Sequence, residues 1–121
     1  MRISFKPRVQ YWDEHRATRV EMYVEDKLVG EYVADDNQNK RPFYFLKGLY
    51  VYGINRRKGY GKKLLANAIT LAKRRKFKSI KLLVFKKHPF TIEWYKRNGF
   101  KIMDVECDEP MYYWMELKMN N

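Results

Sequence analysis

The segment Leu49-Tyr50-Val51-Tyr52-Gly53-Ile54-Asn55-Arg56-Arg57-Lys58-Gly59-Tyr60-Gly61-Lys62-Lys63 constrains this chain more than any other. Phe43 to Tyr52 is rich in aromatic and branched residues and reads as a central strand. The chain then turns on glycines, and a different period begins at Lys62. Leu64, Leu65, Ala68, Ile69 and Ala72 recur at helical spacing, while Lys62, Lys63, Asn67, Lys73 and Arg74 fall elsewhere. A helix of roughly 14 residues there spans about 21 Å. Ile80 to Phe85 follows as a short apolar strand. A strand entered through a helix pairs in parallel with its predecessor, by a right-handed crossover. The expected class is therefore α+β (α/β).

The rest of the chain reads as an antiparallel front half and a mixed end. Arg2 to Val9 is a first strand. Arg19 to Val33 is a hairpin: Val20, Met22 and Val24 alternate with Glu21 and Tyr23, and Glu25-Asp26-Lys27 makes the turn. Asp35-Asp36-Asn37-Gln38-Asn39-Lys40, dense in turn formers, is the best loop candidate. Gly48, isolated within a strand, marks a bulge or a close backbone approach. A short helix from Pro89 to Arg97 ends at Asn98-Gly99, where Gly99 suits a left-handed cap. Two closing strands, Phe100 to Glu106 and Tyr112 to Met119, complete one domain over residues 1–121.

Charge narrows the function. Lys and Arg number 26 against 14 Asp and Glu, a net charge of +12. Asp36 and Glu93 are consecutive acids, so residues 37–92 hold 16 basic residues and no acidic one. The middle of the chain faces something anionic, or is simply very soluble. A lone cysteine, Cys107, and two histidines, His15 and His88, argue against a structural metal site and against an internal disulfide. No signal peptide and no run of about 18 apolar residues is present, so the expectation is a cytoplasmic protein with no membrane partner.

The glycine turn is the candidate site. Amides at a helix N-terminus lack partners within the helix, and the helix dipole favours an anion there. Glycines let phosphate oxygens approach the backbone, whose successive amides form a concave nest. Arg56, Arg57, Lys58 and Lys62 surround it with positive charge. The nucleotide-binding pattern G-x-x-x-x-G-K-[ST] is absent, and G-x-G-x-x-G fails because residue 64 is Leu. From glycine spacing alone, a purely structural turn decorated with solubilising charge stays open beside a pyrophosphate site.

Val51 to Gly61 resembles motif A of the GCN5-related N-acetyltransferase (GNAT) superfamily, [RQ]-x-x-G-x-[GA], with Arg56, Gly59 and Gly61 at its defining positions and Leu49-x-Val51 in the preceding strand. Tyr95-Lys96-Arg97-Asn98-Gly99-Phe100 resembles the end of the family's fourth helix, and Tyr112 to Leu117 its final strand. The resemblance covers about Phe43 to Met119. It implies a mixed sheet whose central strands splay around acetyl-CoA, flanked by helices. It further implies that main-chain groups of Leu49, Tyr50 and Val51 pair with the pantetheine arm and that amides from Arg57 through Lys58, Gly59, Tyr60 and Gly61 to Lys62 hold the pyrophosphate. A bulge at Gly48 would help open the sheet. Three departures stand out. Gly53 replaces a common Pro, and His88 replaces an Asn that touches the cofactor. Gln10 to Thr18 leaves room for only one short helix or a loop, where most members carry two helices that shape the acceptor pocket.

Acetyl transfer to an amine needs a base, an oxyanion donor and a proton for the departing thiolate. The resemblance gives the last role to Tyr95, as general acid; a phenol with pKa near 10 stays protonated at neutral pH. The base is open. Phe43 to Tyr52 contains no acid, which leaves Glu31, Glu21 and His88 as candidates, each also readable as a surface residue. Cys107 lies between acids, which disfavours a thiolate nucleophile. Tyr11, Trp12, Tyr44, Trp94 and Trp114 could wall a substrate site or simply build the core. The leading expectation is an acetyl-CoA-dependent N-acetyltransferase acting on a primary amine, with an acidic protein or a nucleic acid such as a charged tRNA as acceptor. The alternative is a binding module of this fold that uses its basic face with little or no catalysis. Lys73-Arg74-Arg75-Lys76 is either part of that basic face or the solvated end of a helix, where cations favour the dipole.

Overall fold

The computed structural model of the protein describes residues 1–12, 15–38, 41–56, 58–105 and 108–119, with the side chain of Trp12 outside the description. In chain order the elements are β1 (Ile3–Trp12), β2 (His15–Val24), β3 (Lys27–Asp35), β4 (Tyr44–Val51), α1 (Tyr60–Arg74), β5 (Ser79–Phe85), α2 (Pro89–Arg97), β6 (Lys101–Ile102) and β7 (Tyr112–Lys118), with a single 3-10 turn at Gly53–Asn55. The strands form one sheet in the order β1-β2-β3-β4-β5-β7-β6. Only the β4–β5 pair is parallel, as the crossover through α1 requires.

The front half is one antiparallel meander. Among the described residues of the range 10–18 there is no helix: Gln10 pairs with Ala17 and Val9 with Thr18, so the two strands run on to Trp12 and from His15. The partner strand satisfies the backbone groups of the paired residues. The β2–β3 turn narrows to Glu25 and Asp26, both with positive φ (49° and 68°), as a two-residue hairpin demands.

Asp35 closes β3, and the register between β3 and β4 slips after it pairs Val33 with Gly48 and then Ala34 with Leu46. The extra residue is Lys47, so the bulge lies beside Gly48. The helix begins at Tyr60, two residues before its apolar period does. The expected strand from Phe100 to Glu106 shrinks to Lys101–Ile102. Phe100 is buried against Tyr95 instead, and Glu106 lies outside the described residues.

The core lies on one face of the sheet. β5 alternates strictly, with Ile80, Leu82 and Val84 buried and Lys81, Leu83 and Phe85 half-exposed. Leu64, Leu65, Ala68 and Ala72 of α1 and Ile92 and Tyr95 of α2 join the same cluster as Val20, Met22, Tyr32, Leu46 and Met115. Both helices therefore cover the same face. Among the described residues no helix lies over the other. The aromatic candidates scatter accordingly: Tyr44 is buried against Phe77, Trp114 sits with Phe43 and Phe45 on the uncovered face, and Tyr11 is exposed.

Candidate active site

β4 and β5 form only two backbone pairs, Tyr44 with Ile80 and Phe45 with Lys81. Beyond Phe45 the bulge at Lys47 turns β4 away, and the strands part. The edge of β4 that faces β5 is left from Leu46 to Val51 without a ladder partner, a row of backbone groups that must find partners elsewhere. α1 starts beside the widening gap, and α2 closes its far side.

The resulting cleft has a volume of about 690 Å³. Leu49, Tyr50 and Val51 form the β4 wall; Arg56 and Gly59 come from the turn; Tyr60, Gly61 and Lys62 form the first turn of α1; and Phe90, Thr91, Trp94 and Tyr95 line it from α2. The structure thus gathers eight of the predicted cosubstrate residues and Tyr95 around one space. Lys58 is exposed next to the turn and does not line the cleft. Arg57 lies outside the described residues, as does Cys107. Thr91 and Phe90 were not anticipated. The signal for Phe90 is an aromatic in the first turn of a helix, out of phase with the buried stripe Ile92 and Tyr95, and left 88% exposed.

The turn leaves the start of the helix uncapped. Gly59 precedes the helix at φ 80°, a left-handed conformation that favours glycine, and no side chain caps the helix. The first amides of α1 therefore have no partner within the helix, and its first turn carries no acid. A Cβ on Gly61 would sit 3.4 Å from the Trp94 ring, so this glycine keeps the mouth of the cleft open between the two helices. Arg56 folds back along the wall. Its Nε donates to the Val51 carbonyl (3.1 Å), its Nη2 donates to the Tyr50 hydroxyl (3.2 Å), and its guanidinium lies over the Tyr50 ring at 5.3 Å.

Tyr95 is at the other end. It packs edge-on against Trp94 and Phe100 (5.0 and 5.3 Å), and burial pushes its phenol up to about 12. It is protonated throughout the neutral range.

The base candidates lie elsewhere. Glu31, on the uncovered face, accepts hydrogen bonds from Arg19 Nε (2.5 Å) and the Tyr52 hydroxyl. The Arg19 hydrogen bond, helped by Tyr52, holds its carboxyl below the usual range against the opposing effect of burial. It is a poor proton acceptor in that state. Glu21 is ion-paired with Arg8 at 3.3 Å. His88 is the residue preceding α2, exposed and stacked edge-on against Phe85 at 5.2 Å, and is not among the residues lining the cleft. No Asp, Glu or His lines the cleft among the described residues, and no cluster of metal ligands occurs among them. No described helix is long and apolar enough to cross a membrane.

The Asp35–Asp36 pair departs most from expectation. Asp35 is ion-paired with Arg41, and Asp36 is 2% exposed. Asp36 accepts hydrogen bonds from Thr18 Oγ1 (2.7 Å), Arg75 Nη1 (2.5 Å) and Arg16 Nε (3.4 Å). Arg75, read within a basic run, is a partner in a buried junction between β2, the β3–β4 connection and the end of α1.

A sheet opened by a bulge, with an uncapped helix N-terminus at one end of the gap and a buried phenol at the other, frames the cleft. The chain belongs to the acetyltransferase (GNAT) family, whose sequence model matches residues 2–100. Similar structures include an acetyltransferase from Bacillus subtilis in complex with CoA. It is 16% identical, with 98% of this chain and 100% of that one covered and a TM-score of 0.79. The PaiA N-acetyltransferase from Thermoplasma acidophilum in complex with coenzyme A is 22% identical at a TM-score of 0.74, over 85% of this chain; this chain spans 61% of that protein. Naa50 from Arabidopsis thaliana, bound to a bisubstrate analogue, is 20% identical over 84% of this chain and 72% of its own, with a TM-score of 0.70. At these identities the likeness is one of fold. No curated protein matches by sequence.

Proposed function

We propose that the protein transfers an acetyl group from acetyl-CoA to a primary amine by direct attack within a ternary complex. The observation that carries this reading is the gathering of the unpaired β4 edge, the uncapped start of α1 and the Tyr95 phenol around one cleft. The coenzyme A in the Thermoplasma and Bacillus subtilis structures supports the choice of cosubstrate.

The pyrophosphate would lie on the first amides of α1, next to Arg56 and Lys62. The pantetheine amides would complete the β4 edge as an added strand. The Val51 carbonyl now accepts from Arg56, so the guanidinium must shift if the arm pairs there. In the transfer, the amine nitrogen bonds to the thioester carbon and the C–S bond breaks. Nitrogen loses one proton and sulfur gains one. At about 12, Tyr95 holds its proton more tightly than a thiol at about 8.5, so it stabilises the departing sulfur as a hydrogen-bond donor while the amine's proton completes the balance. Among the described residues no side chain lining the cleft is placed to take that proton, so the reading assigns the task to water at the open side of the sheet.

The uncovered sheet face leaves that side accessible to a large acceptor, a protein or a nucleic acid carrying an amine. A second reading, a module that binds without catalysis, draws on the lack of a carboxylate or histidine in the cleft. The Tyr95→Phe variant separates the two. Thiol release from acetyl-CoA with amine-bearing peptides should fall roughly 10²–10³-fold while calorimetric affinity for CoA holds. Equal release by both proteins would remove Tyr95 from the reaction, and CoA binding with no release from either would favour the module.

A further inference from the structure

Several cations on the uncovered sheet face already have carboxylate partners. On the uncovered face Arg8 pairs with Glu21, Arg19 with Glu31 and Lys81 with Glu116, at 3.3, 2.5 and 3.8 Å. Lys63 and Arg74 of α1, by contrast, are exposed with no ion pair among the described residues. They stand at the two ends of a second groove, about 440 Å³, between α1 and the edge strand β1.

One wall of this groove is a single stripe of α1. Lys63, Asn67, Thr70 and Arg74 follow at steps of four, three and four residues, spanning about 16 Å. Asn67 is held in place: its Oδ1 accepts from the buried Tyr32 hydroxyl at 2.7 Å, which leaves its amide N–H groups as donors. Thr70 returns its hydroxyl to the Ala66 carbonyl (3.0 Å) and serves as a neutral spacer. Lys63 and the Asn67 amide thus stand one turn apart and Arg74 two turns further on, so the two cations bracket the groove with a neutral donor between them. The other wall is apolar, with Ile3 and Phe5 half-buried on β1. Both side chains pack against the hydrophobic core and leave part of their surface to the groove.

We infer that this groove binds a single-stranded nucleic acid segment, with phosphates on the α1 stripe and an unpaired base on Phe5. Stacking on an aromatic ring requires a free base face, which a duplex does not present. An acidic peptide would satisfy the cations but would leave the aromatic wall without a flat partner. The groove is separate from the cofactor cleft. Lys62 turns into the cleft and Lys63 into the groove, so the two ligands need not compete. The inference stands whether or not the protein transfers acetyl groups.

The test uses the whole protein and a fluorescein-labelled ten-nucleotide oligouridine RNA, followed by anisotropy over a potassium chloride series, first without CoA and then with CoA added to saturation. The Lys63→Gln/Arg74→Gln double variant should lose about 1.4 from the log–log salt slope, two contacts at about 0.7 each. Its CoA affinity and urea midpoint should match the parent. Phe5→Leu, which keeps an apolar side chain in place, should weaken binding roughly tenfold with little change in slope. An unchanged slope in the double variant would overturn the inference. So would displacement of the RNA by CoA, equal affinity for the same RNA annealed to its complement, or equal affinity for decaglutamate.

Discussion

The two ends of α1 carry the same kinds of residue and have opposite fates. At the start, Arg56 and Lys62 surround a turn with no acid in reach, Gly59 leaves the helix uncapped, and the first amides face a cleft. At the end, Arg75 enters the interior and meets Asp36, which also holds Arg16 and Thr18. One end has cations and unpaired amides with no carboxylate on them among the described residues. The other has its anion built in. A basic residue in a sequence is therefore ambiguous until the position of the nearest carboxylate is known, and here that carboxylate is 39 positions away along the chain.

The largest effect should come from the closed end. Asp36→Ala leaves Arg75 and Arg16 without their shared carboxylate in a partly buried site, where such a loss costs about 3–5 kcal/mol. The side chains of Arg75 and Arg16 remain 26% and 28% exposed, which places the expectation near the lower figure. Urea denaturation should show it, and affinity of the folded protein for CoA should stay within error. A loss below about 1 kcal/mol would mean that the junction contributes no more than a surface ion pair.

Next comes the open end. Gly61→Glu places a carboxylate where a Cβ already touches Trp94 and Val51, at the mouth of the cleft. Repulsion of a phosphate charge at about 4 Å near a surface should weaken CoA binding by about a hundredfold or more. The urea midpoint should move far less than in Asp36→Ala. If both variants changed stability and affinity together, the two ends would not be independent, and the contrast drawn between them would fail.

The open end was legible in the sequence because its signal is local. Arg56, Gly59 and Gly61 stand within six residues of one another, and the apolar period after them announces a helix. Tyr95 became legible for the same reason, through the Asn98-Gly99-Phe100 ending beside it. The closed end joins residues 16, 18, 36 and 75, and no local pattern connects them. By sequence Asp35 and Asp36 are loop formers, which their neighbours Asn37 and Gln38 support, yet tertiary pairing buries both. Likewise Gln10 to Thr18 is too short and too polar to declare a strand by itself; pairing across β1 and β2 decides it. Glu31 could be named as a base from residue type alone, whereas only the structure shows that Arg19 and Tyr52 already occupy it.

The smallest effects concern how the two helices stop, and they refine the contrast at the closed end. α2 ends with Phe100 N–H on the Tyr95 carbonyl (3.0 Å) and Gly99 N–H on the Lys96 carbonyl (3.0 Å). α1 ends in the same way, with Phe77 N–H on Ala72 (3.0 Å) and Lys76 N–H on Lys73 (2.9 Å). Both are left-handed caps with the following phenylalanine turned inward. The left-handed residue differs: Gly99 at φ 96° and Lys76 at φ 66°. Gly99→Ala should cost about 1–2 kcal/mol for the backbone alone, and its Cβ would also meet Leu117 at 3.1 Å. Lys76→Gly should do the reverse. It relieves a comparable backbone strain but gives up a cation at the helix C-terminus, worth about 0.3–1 kcal/mol at an exposed site, so a net gain near 0.5 kcal/mol is expected. Paired urea titrations at low and high salt separate the two contributions, because only the dipole part is screened. The gain should grow with salt. A variant that is less stable than the parent at both salt concentrations would show that Lys76 holds the closed end through contacts of its own, and that its basic charge belongs with Arg75 rather than with the open cations along the helix.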